Sequence, residues 1–467
     1  MKPLIKKILL FFFVYACFLL FTPVVTWITT DTPLLLLPRF YLMVLWAVPL
    51  IILFNIKNIY CKLIGFIWIC WFMIGSINVI ASYYYYGDFY LVNVEHAHLV
   101  YIAFTTTFFL AIFVFERLTH LTTRHVVTFT TALATQVMPK RDIHPGFGAF
   151  LIAFPFVWFL SLYYAVGYIP ILQGTNIEKD MYKLDFGPLY GFVAINILSM
   201  LLIFDRFQSA TSVKRYWYLI LFVLVAFFSV SNGKRMTIMV FFLALICYLI
   251  KTRRDIIFNK FYITIGLTLA VVFYSGMMII RKGSNIDNYK STAVQLAIVG
   301  VEFRDFAFAI NHFKPEQLHN YKWAESSLAS GINSKVLKFM GIDKQQAISM
   351  SFSYASKSLF SGGFFGIRVG LIGELYFAYQ FYGLIIIFIF GLLIGWIGAK
   401  IHKSNSQFSL LFLSTTYGLL LITLVSQTID IIGTLTVLLY TWFIYLFIKA
   451  LYPTKAAIRL IKEIGAH

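Results

Sequence analysis

Three charged side chains stand within four positions of this 467-residue chain: Glu302, Arg304 and Asp305. A carboxylate can take the proton of a hydroxyl, as a general base does. A guanidinium grips phosphate oxygens in a bidentate way and keeps its charge at any working pH. The cluster could place a carboxylate and a guanidinium against one substrate. The pair recurs as Arg368 and Glu374 in FFGIRVGLIGELYFAYQFYG, residues 364–383. Six positions do not share one helix face, so their pairing requires a bend at Gly370 or Gly373. An unpaired carboxylate in that apolar setting would protonate or be costly. Pairing with a partner and contact with a substrate weigh equally for Glu374.

Two further segments carry charge of the same kind. Ser231-Asn232-Gly233-Lys234-Arg235 puts two cations in a short turn between apolar stretches, a depth at which charges are expensive and are kept for function, pairing or snorkelling. GYIPILQGTNIEKDMYKLDFGPLY, residues 167–190, breaks helix with Gly167, Pro170, Gly174, Gly187 and Pro188 on either side of Glu178, Lys179, Asp180, Lys183 and Asp185. His96 and His98 in VEHAH read as an interfacial loop, and His312 and His319 fall nearby in the outer charge pattern. Cys17, Cys61, Cys70 and Cys247 lie in or beside apolar stretches and lack metal-ligand spacing, so they read as small apolar residues. No P-loop, dinucleotide fingerprint or internal repeat is present.

What must position these residues is a set of membrane helices. Sixty per cent of the residues are hydrophobic, 12% are charged, and the mean hydropathy is +0.82. A soluble domain cannot bury that much apolar surface, whereas a stretch of roughly 20 apolar residues crosses a bilayer as a helix. The pattern predicts an all-α polytopic membrane protein with about twelve spans: 8–28, 36–54, 63–83, 97–115, 149–171, 188–204, 216–231, 236–250, 261–280, 371–399, 408–427 and 432–451. Lys2, Lys6 and Lys7 precede the first apolar run as in a signal peptide, but no small-residue cleavage site follows, so it reads as a retained helix. Three regions result: helices one to nine in 1–280, a long external loop in 281–370, and helices ten to twelve with a basic tail in 371–467.

Cations orient the array. With both termini cytoplasmic, 22 of the 38 Lys and Arg fall inside, against five acids (Glu116, Asp142, Asp205, Asp255 and Glu463), for a net +17. The outer face carries 16 cations and 14 acids, a net +2. This bias accounts for the formal charge of +19 without any nucleic-acid partner. The external loop is the exception: 11 cations, opened by Arg281 and Lys282, against six acids leave it at +5 on a face where positive charge is scarce. A loop of this length is usually functional. It is either a solvated loop or an electropositive surface for an anionic substrate. Within it, 291–311 reads as a helix on or dipping into the membrane. Phe303, Phe306 and Ile310 share one face, and Glu302 and Asp305 lie on another, turned towards water in the simplest case.

In this order the segments resemble the O-antigen and capsule repeat-unit polymerases, the Wzy-type membrane glycosyltransferases, which are C-type-like in architecture. The resemblance rests on GYIPILQG with its acidic-basic loop, on the SNGKR turn opening a span, and on the long outer loop late in the chain. It rests also on GIRVGLIGELYFAYQFYG leading into a span with Gly391, Gly395 and Gly398. It covers most of the chain through loose motifs. It implies a bacterial cytoplasmic (inner) membrane protein whose site faces the periplasm or outside. Two glycans, donor and acceptor, would each be carried on undecaprenyl pyrophosphate. The acceptor hydroxyl would attack the anomeric carbon of the donor chain, releasing undecaprenyl pyrophosphate and adding the growing chain to the incoming repeat.

On that resemblance no metal or other cofactor is implied. Membrane lipid, a chain-length regulator and a flippase are the expected partners. Arg235 and Arg281, then Arg304 and Arg368, would bind pyrophosphate, with Lys234, Lys282 and Lys183 assisting. Preorganised cations at a developing charge are a large catalytic contribution. Glu302 and Glu374 are the candidate bases, with Asp180 and Asp305 behind them, and no family motif fixes the choice. An O-antigen ligase would share the arginine logic and often needs an outer histidine, here His312 or His319. A flippase or transporter would more often show two comparable halves with polar residues at mid-membrane.

Overall fold

The computed structural model describes residues 36, 39–86, 91–122, 140–169, 192–211, 213–231, 236–253, 301–313, 321–332, 334–352, 368–424 and 428–451. The spans expected at 8–28 and 261–280 lie outside them. Among the described residues the chain is helical, with one isolated bridge, Lys140 to Ser406, and no strand. The helices are α1 (Phe40–Leu45), α2 (Ala47–Asn55), α3 (Ile59–Tyr86), α4 (Val94–Thr122), α5 (Pro145–Val166), α6 (Val193–Ser209), α7 (Val213–Val230) and α8 (Met236–Thr252). They continue with α9 (Val301–His312), α10 (Trp323–Gly331), α11 (Ser334–Phe339), α12 (Lys344–Ser349), α13 (Gly370–Tyr379), α14 (Gly383–Lys403), α15 (Gln407–Thr423) and α16 (Thr428–Leu451).

Among the described residues, five helical stretches are long and apolar enough to cross a membrane: Ile59–Ile80, Val94–Thr119, Pro145–Tyr164, Gly370–Lys403 and Ile432–Leu451. Thr237–Thr252 and Gln407–Thr423 are apolar but shorter. Two expected spans depart from the sequence reading. The stretch 36–54 is interrupted at Trp46 between α1 and α2. The stretch 371–399 is interrupted at Gln380, whose φ of +50° disfavours a side chain, and a 3-10 turn over Gln380–Tyr382 separates α13 from α14. With a turn at Gly370 before it and the break at Gln380 after it, α13 stands as a short helix of its own.

Close packing follows from small residues. On α14, Gly391 lies where a Cβ would meet Ala111 and the Phe108 carbonyl of α4 at 2.7 Å, and Gly395 faces Phe115 one turn on. The two helices run side by side in the same direction, so the glycine stripe admits the phenylalanines of its neighbour.

Polar groups gather at the two ends of the bundle. At one end the Glu116 carboxylate accepts the main-chain N–H groups of Lys57 (2.8 Å) and Asn58 (2.7 Å), where α3 begins. Asp142 accepts the N–H of Phe408 near the start of α15 (3.2 Å). Asp205 accepts from the Tyr248 hydroxyl and the Gln407 amide. Each donor would otherwise be unsatisfied in an apolar surrounding. At the opposite end Arg39 pairs with Glu95 (3.2 Å) and Asn93 binds Asn311.

α13 begins at Gly370 with φ +62°, and a Cβ there would lie 2.6 Å from the Leu424 carbonyl oxygen. Both the dihedral and the contact oppose any side chain. Gly370→Ala is expected to destabilise the protein by about 1–3 kcal/mol. Thermal unfolding of the detergent-solubilised protein checks this, and an unchanged melting temperature would contradict the close seat of α13 on α15.

Candidate functional site

α9 carries the sequence Val-Glu-Phe-Arg-Asp-Phe-Ala-Phe, and its apolar face decides where it sits. Phe303 packs on Phe72 of α3 and on His98 and Tyr101 of α4, with ring centroids 4.7, 4.9 and 5.0 Å apart. Phe306 packs on Tyr101, and on Tyr376 and Phe377 of α13, at 5.3, 5.8 and 5.8 Å. The shared face of Phe303, Phe306 and Ile310 is therefore as expected, although Ile310 is only partly buried. The far end of α9 is pinned by Asn311. Its amide donates to the carbonyls of Asn93 (3.0 Å) and Ala307 (2.7 Å), and its oxygen accepts the Asn93 N–H (3.1 Å).

The carboxylates of α9 do not face water, as the simplest sequence reading had it. Glu302 and Asp305 are 6% and 7% exposed. The cause is that α9 has neighbours on several sides: α3 and α4 on one, and the entry to α13 on another. Asp305 is fully engaged. One oxygen accepts Nε and a terminal nitrogen of Arg304 (2.9 and 2.7 Å), and the other accepts the main-chain N–H of Arg368 (3.0 Å). Asp305 thus fastens the entry of α13 to α9.

Glu302 is held differently. Its Oε2 accepts the indole N–H of Trp71 at 2.7 Å, and no described side chain donates to Oε1. Burial pushes its acid constant from the ordinary 4.5 up to about 7, opposed by the Trp71 hydrogen bond, a main-chain hydrogen bond and the Arg368 charge. A carboxyl poised there can take or give a proton at neutral pH. Trp71 lies mid-way along the apolar stretch Ile59–Ile80. So α9 runs from the middle of α3 at Glu302 to the end of the bundle at Asn311.

Arg368 is exposed, and among the described residues its guanidinium has neither an ion pair nor a hydrogen bond. It does not pair with Glu374. Glu374 is 4% exposed inside α13. Its carbonyl accepts the hydroxyl of Tyr321 (3.1 Å), which leads into α10. Asp180, Lys183, Lys234, Arg235, Arg281 and Lys282 lie outside the described residues, as does His319. The structure therefore brings together Glu302, Arg304, Asp305 and Arg368.

His96 and His98 are not in a loop but in the first turns of α4. His98 is buried and accepts the Trp46 indole N–H (3.3 Å), and His96 meets the Tyr376 hydroxyl (2.9 Å). His312 closes α9 and stacks on Phe308. The partners that sequence reasoning missed are Trp71, Tyr101, Tyr321 and Tyr376. Aromatic residues abound in this chain, and nothing local marks Trp71 as the one that meets a carboxylate 231 positions away. No family model, no curated protein and no solved structure matches this chain.

The Glu302 constant carries a sign for stability. A carboxyl whose folded value is raised is penalised when ionised. The penalty is absent below pH 4.5, grows towards pH 7 and is complete above it, on the order of 3 kcal/mol. Stability is expected to fall across that window. Glu302→Gln is expected to lose this component and to unfold at a higher temperature than the wild type above pH 7. Thermal unfolding of both proteins as a function of pH checks this.

Proposed function

We propose that this protein is a Wzy-type repeat-unit polymerase of the bacterial cytoplasmic membrane, with about twelve spans, both termini inside and its site towards the outer leaflet. The observation that carries the reading is Glu302: a buried carboxyl pushed up to about 7, on the helix α9 whose Asp305 holds the main chain of the exposed Arg368. The reaction needs a base for a hydroxyl and a cation for a departing pyrophosphate. The charge pattern supports the orientation. Lys57, Asn58, Glu116, Asp142, Lys251 and His402 share one end of the bundle, the one expected inside.

In this reading the ionised Glu302 takes the proton of the acceptor hydroxyl as its oxygen attacks the anomeric carbon of the donor. The bond from that carbon to the pyrophosphate oxygen breaks, and the electron pair leaves with undecaprenyl pyrophosphate. Arg368, whose main chain is fixed and whose guanidinium is exposed, binds the leaving group, joined by Arg235 and Arg281 with Lys234, Lys282 and Lys183. Arg304 keeps its charge but is tied to Asp305, so its contribution is to the field at the site. Asp305 has both oxygens occupied, which favours Glu302 over it as base. Glu374 and Asp180 remain the other carboxylates of the proposal.

A second reading draws on the depth of Glu302. A titratable carboxyl opposite the middle of a spanning helix, beside the short helices α9 and α13, also suits a proton-linked transporter of lipid-linked glycans. Gene deletion separates the two. With surface and lipid-linked glycans resolved on a gel, loss of the polymer ladder with single repeats retained supports the polymerase. A ladder still built, whether stranded on its carrier or held before export, moves the reading to a transporter or a ligase.

In cells producing normal protein levels, Glu302→Gln and Arg368→Ala are each expected to lower polymer formation by about 10²–10⁴-fold. Wild-type activity should fall tenfold per pH unit below about pH 7, because the base must be ionised. Normal ladders in Glu302→Gln would sink the assignment of the base.

A further inference from the structure

Trp71 lies in the middle of a long apolar helix, where an indole N–H needs an internal acceptor. The acceptor it meets is the one carboxylate of α9 that Asp305-like bonding does not secure. The 2.7 Å contact is among the shortest polar contacts at the site and is an N–H donor to a carboxylate oxygen. Its geometry is anchored from both sides. The neighbouring Phe72 packs on Phe303, next in sequence to Glu302, at 4.7 Å, and on Tyr101 at 5.6 Å. These neighbours fix the stretches of α3 and α9 from which the two side chains meet.

We propose that Trp71 is the positioning residue of Glu302: its indole N–H fixes one carboxylate oxygen and holds the group ready to accept a proton on the other. This deepens the polymerase reading and rests on Glu302 being its base. The indole is neutral at every working pH and donates only. It therefore favours the ionised carboxyl without bringing a cation that would lock the carboxyl in a salt bridge. A lysine or arginine at position 71 would weaken Glu302 as a base, and an apolar residue would remove one of the neutral donors that oppose burial.

The charged and titratable groups around Glu302 come from each element packed against α9. On α9 itself they are Arg304 and Asp305. α4 contributes His98 and Tyr101, and the entry and body of α13 contribute Arg368 and Glu374. Asp305 raises the affinity of Glu302 for its proton and Arg368 lowers it. None of these is altered when Trp71 becomes phenylalanine, which keeps an aromatic ring at the position and removes the N–H.

The test uses the full-length protein in lipid nanodiscs. Infrared difference spectra over a pH series read the protonated carboxyl of Glu302, identified by the band that Glu302→Gln lacks. In Trp71→Phe the midpoint is expected to rise by about one pH unit. With lipid-linked repeat units as substrate, the acid limb of polymer formation should move by the same amount. About tenfold activity is lost at pH 6 and none on the alkaline plateau. A midpoint and acid limb unmoved in Trp71→Phe, or a lost plateau with the midpoint unmoved, overturns the proposal and leaves Trp71 a packing residue. If Trp71→Phe fails to fold, the wild type still decides. One of its nine indole N–H resonances should titrate near pH 7 in nuclear magnetic resonance spectra and stay flat in Glu302→Gln, and nine pH-independent resonances overturn the proposal. A shifted infrared midpoint in a protein that forms no polymer supports Trp71 and refutes the polymerase, so the two failures are distinct.

Discussion

Main-chain N–H groups inside an apolar bundle must find acceptors from the chain itself, and here carboxylates meet much of that need. Glu116 takes two N–H groups where α3 begins, Asp142 takes one where α15 begins, and Asp305 takes that of Arg368 just before α13. In each case an acid side chain, buried at Glu116 and Asp305 and exposed at Asp142, accepts donors that would otherwise be orphaned. The rest of the structure hangs on these attachments, because helices that stop within or at the edge of the bundle expose their first N–H groups there. Glu302 stands apart. An indole donates to it from another helix, and burial prevails over its donors. The contrast between Asp305 and Glu302, three positions apart on one helix, separates a fastening from a proton carrier.

Packing sets that contrast in place. Phe303 and Phe306 fit among rings from α3, α4 and α13, so α9 is held at its base by aromatic contacts and at its tip by Asn311. The glycine stripe of α14 brings α4 in close on the other side. α4 thereby serves two partners: Phe108, Ala111 and Phe115 meet α14, while His98 and Tyr101 meet α9.

Much of this was legible. The apolar runs mark α3, α4, α5, α15 and α16 within a few residues of their ends, and the spacing of Phe303, Phe306 and Ile310 marks the buried face of α9. The small residues Gly391, Gly395 and Gly398 are evident in the sequence as a packing stripe. What could not be read were facts of depth and of distance in sequence. Periodicity identifies an amphipathic face but not how many sides of a helix are covered, so the acids of α9 appeared solvated. Trp71 and Glu302 are 231 positions apart, and a tryptophan in a span carries no local mark of its acceptor. The break at Gln380 is hidden because neither glycine nor proline occupies it. The strain at its φ of +50° is imposed by the two helices it joins.

The grip of Asp305 on the main chain of Arg368 has an evolutionary meaning. The attachment uses an N–H that every residue except proline possesses, so the path of the chain at 368 does not depend on which side chain it bears. Position 368 is consequently a socket: charge, length and shape there can be exchanged in one mutational step while the scaffold stays as it was. A lineage that had to accept a different anionic group could retune this one position without first finding compensating changes elsewhere.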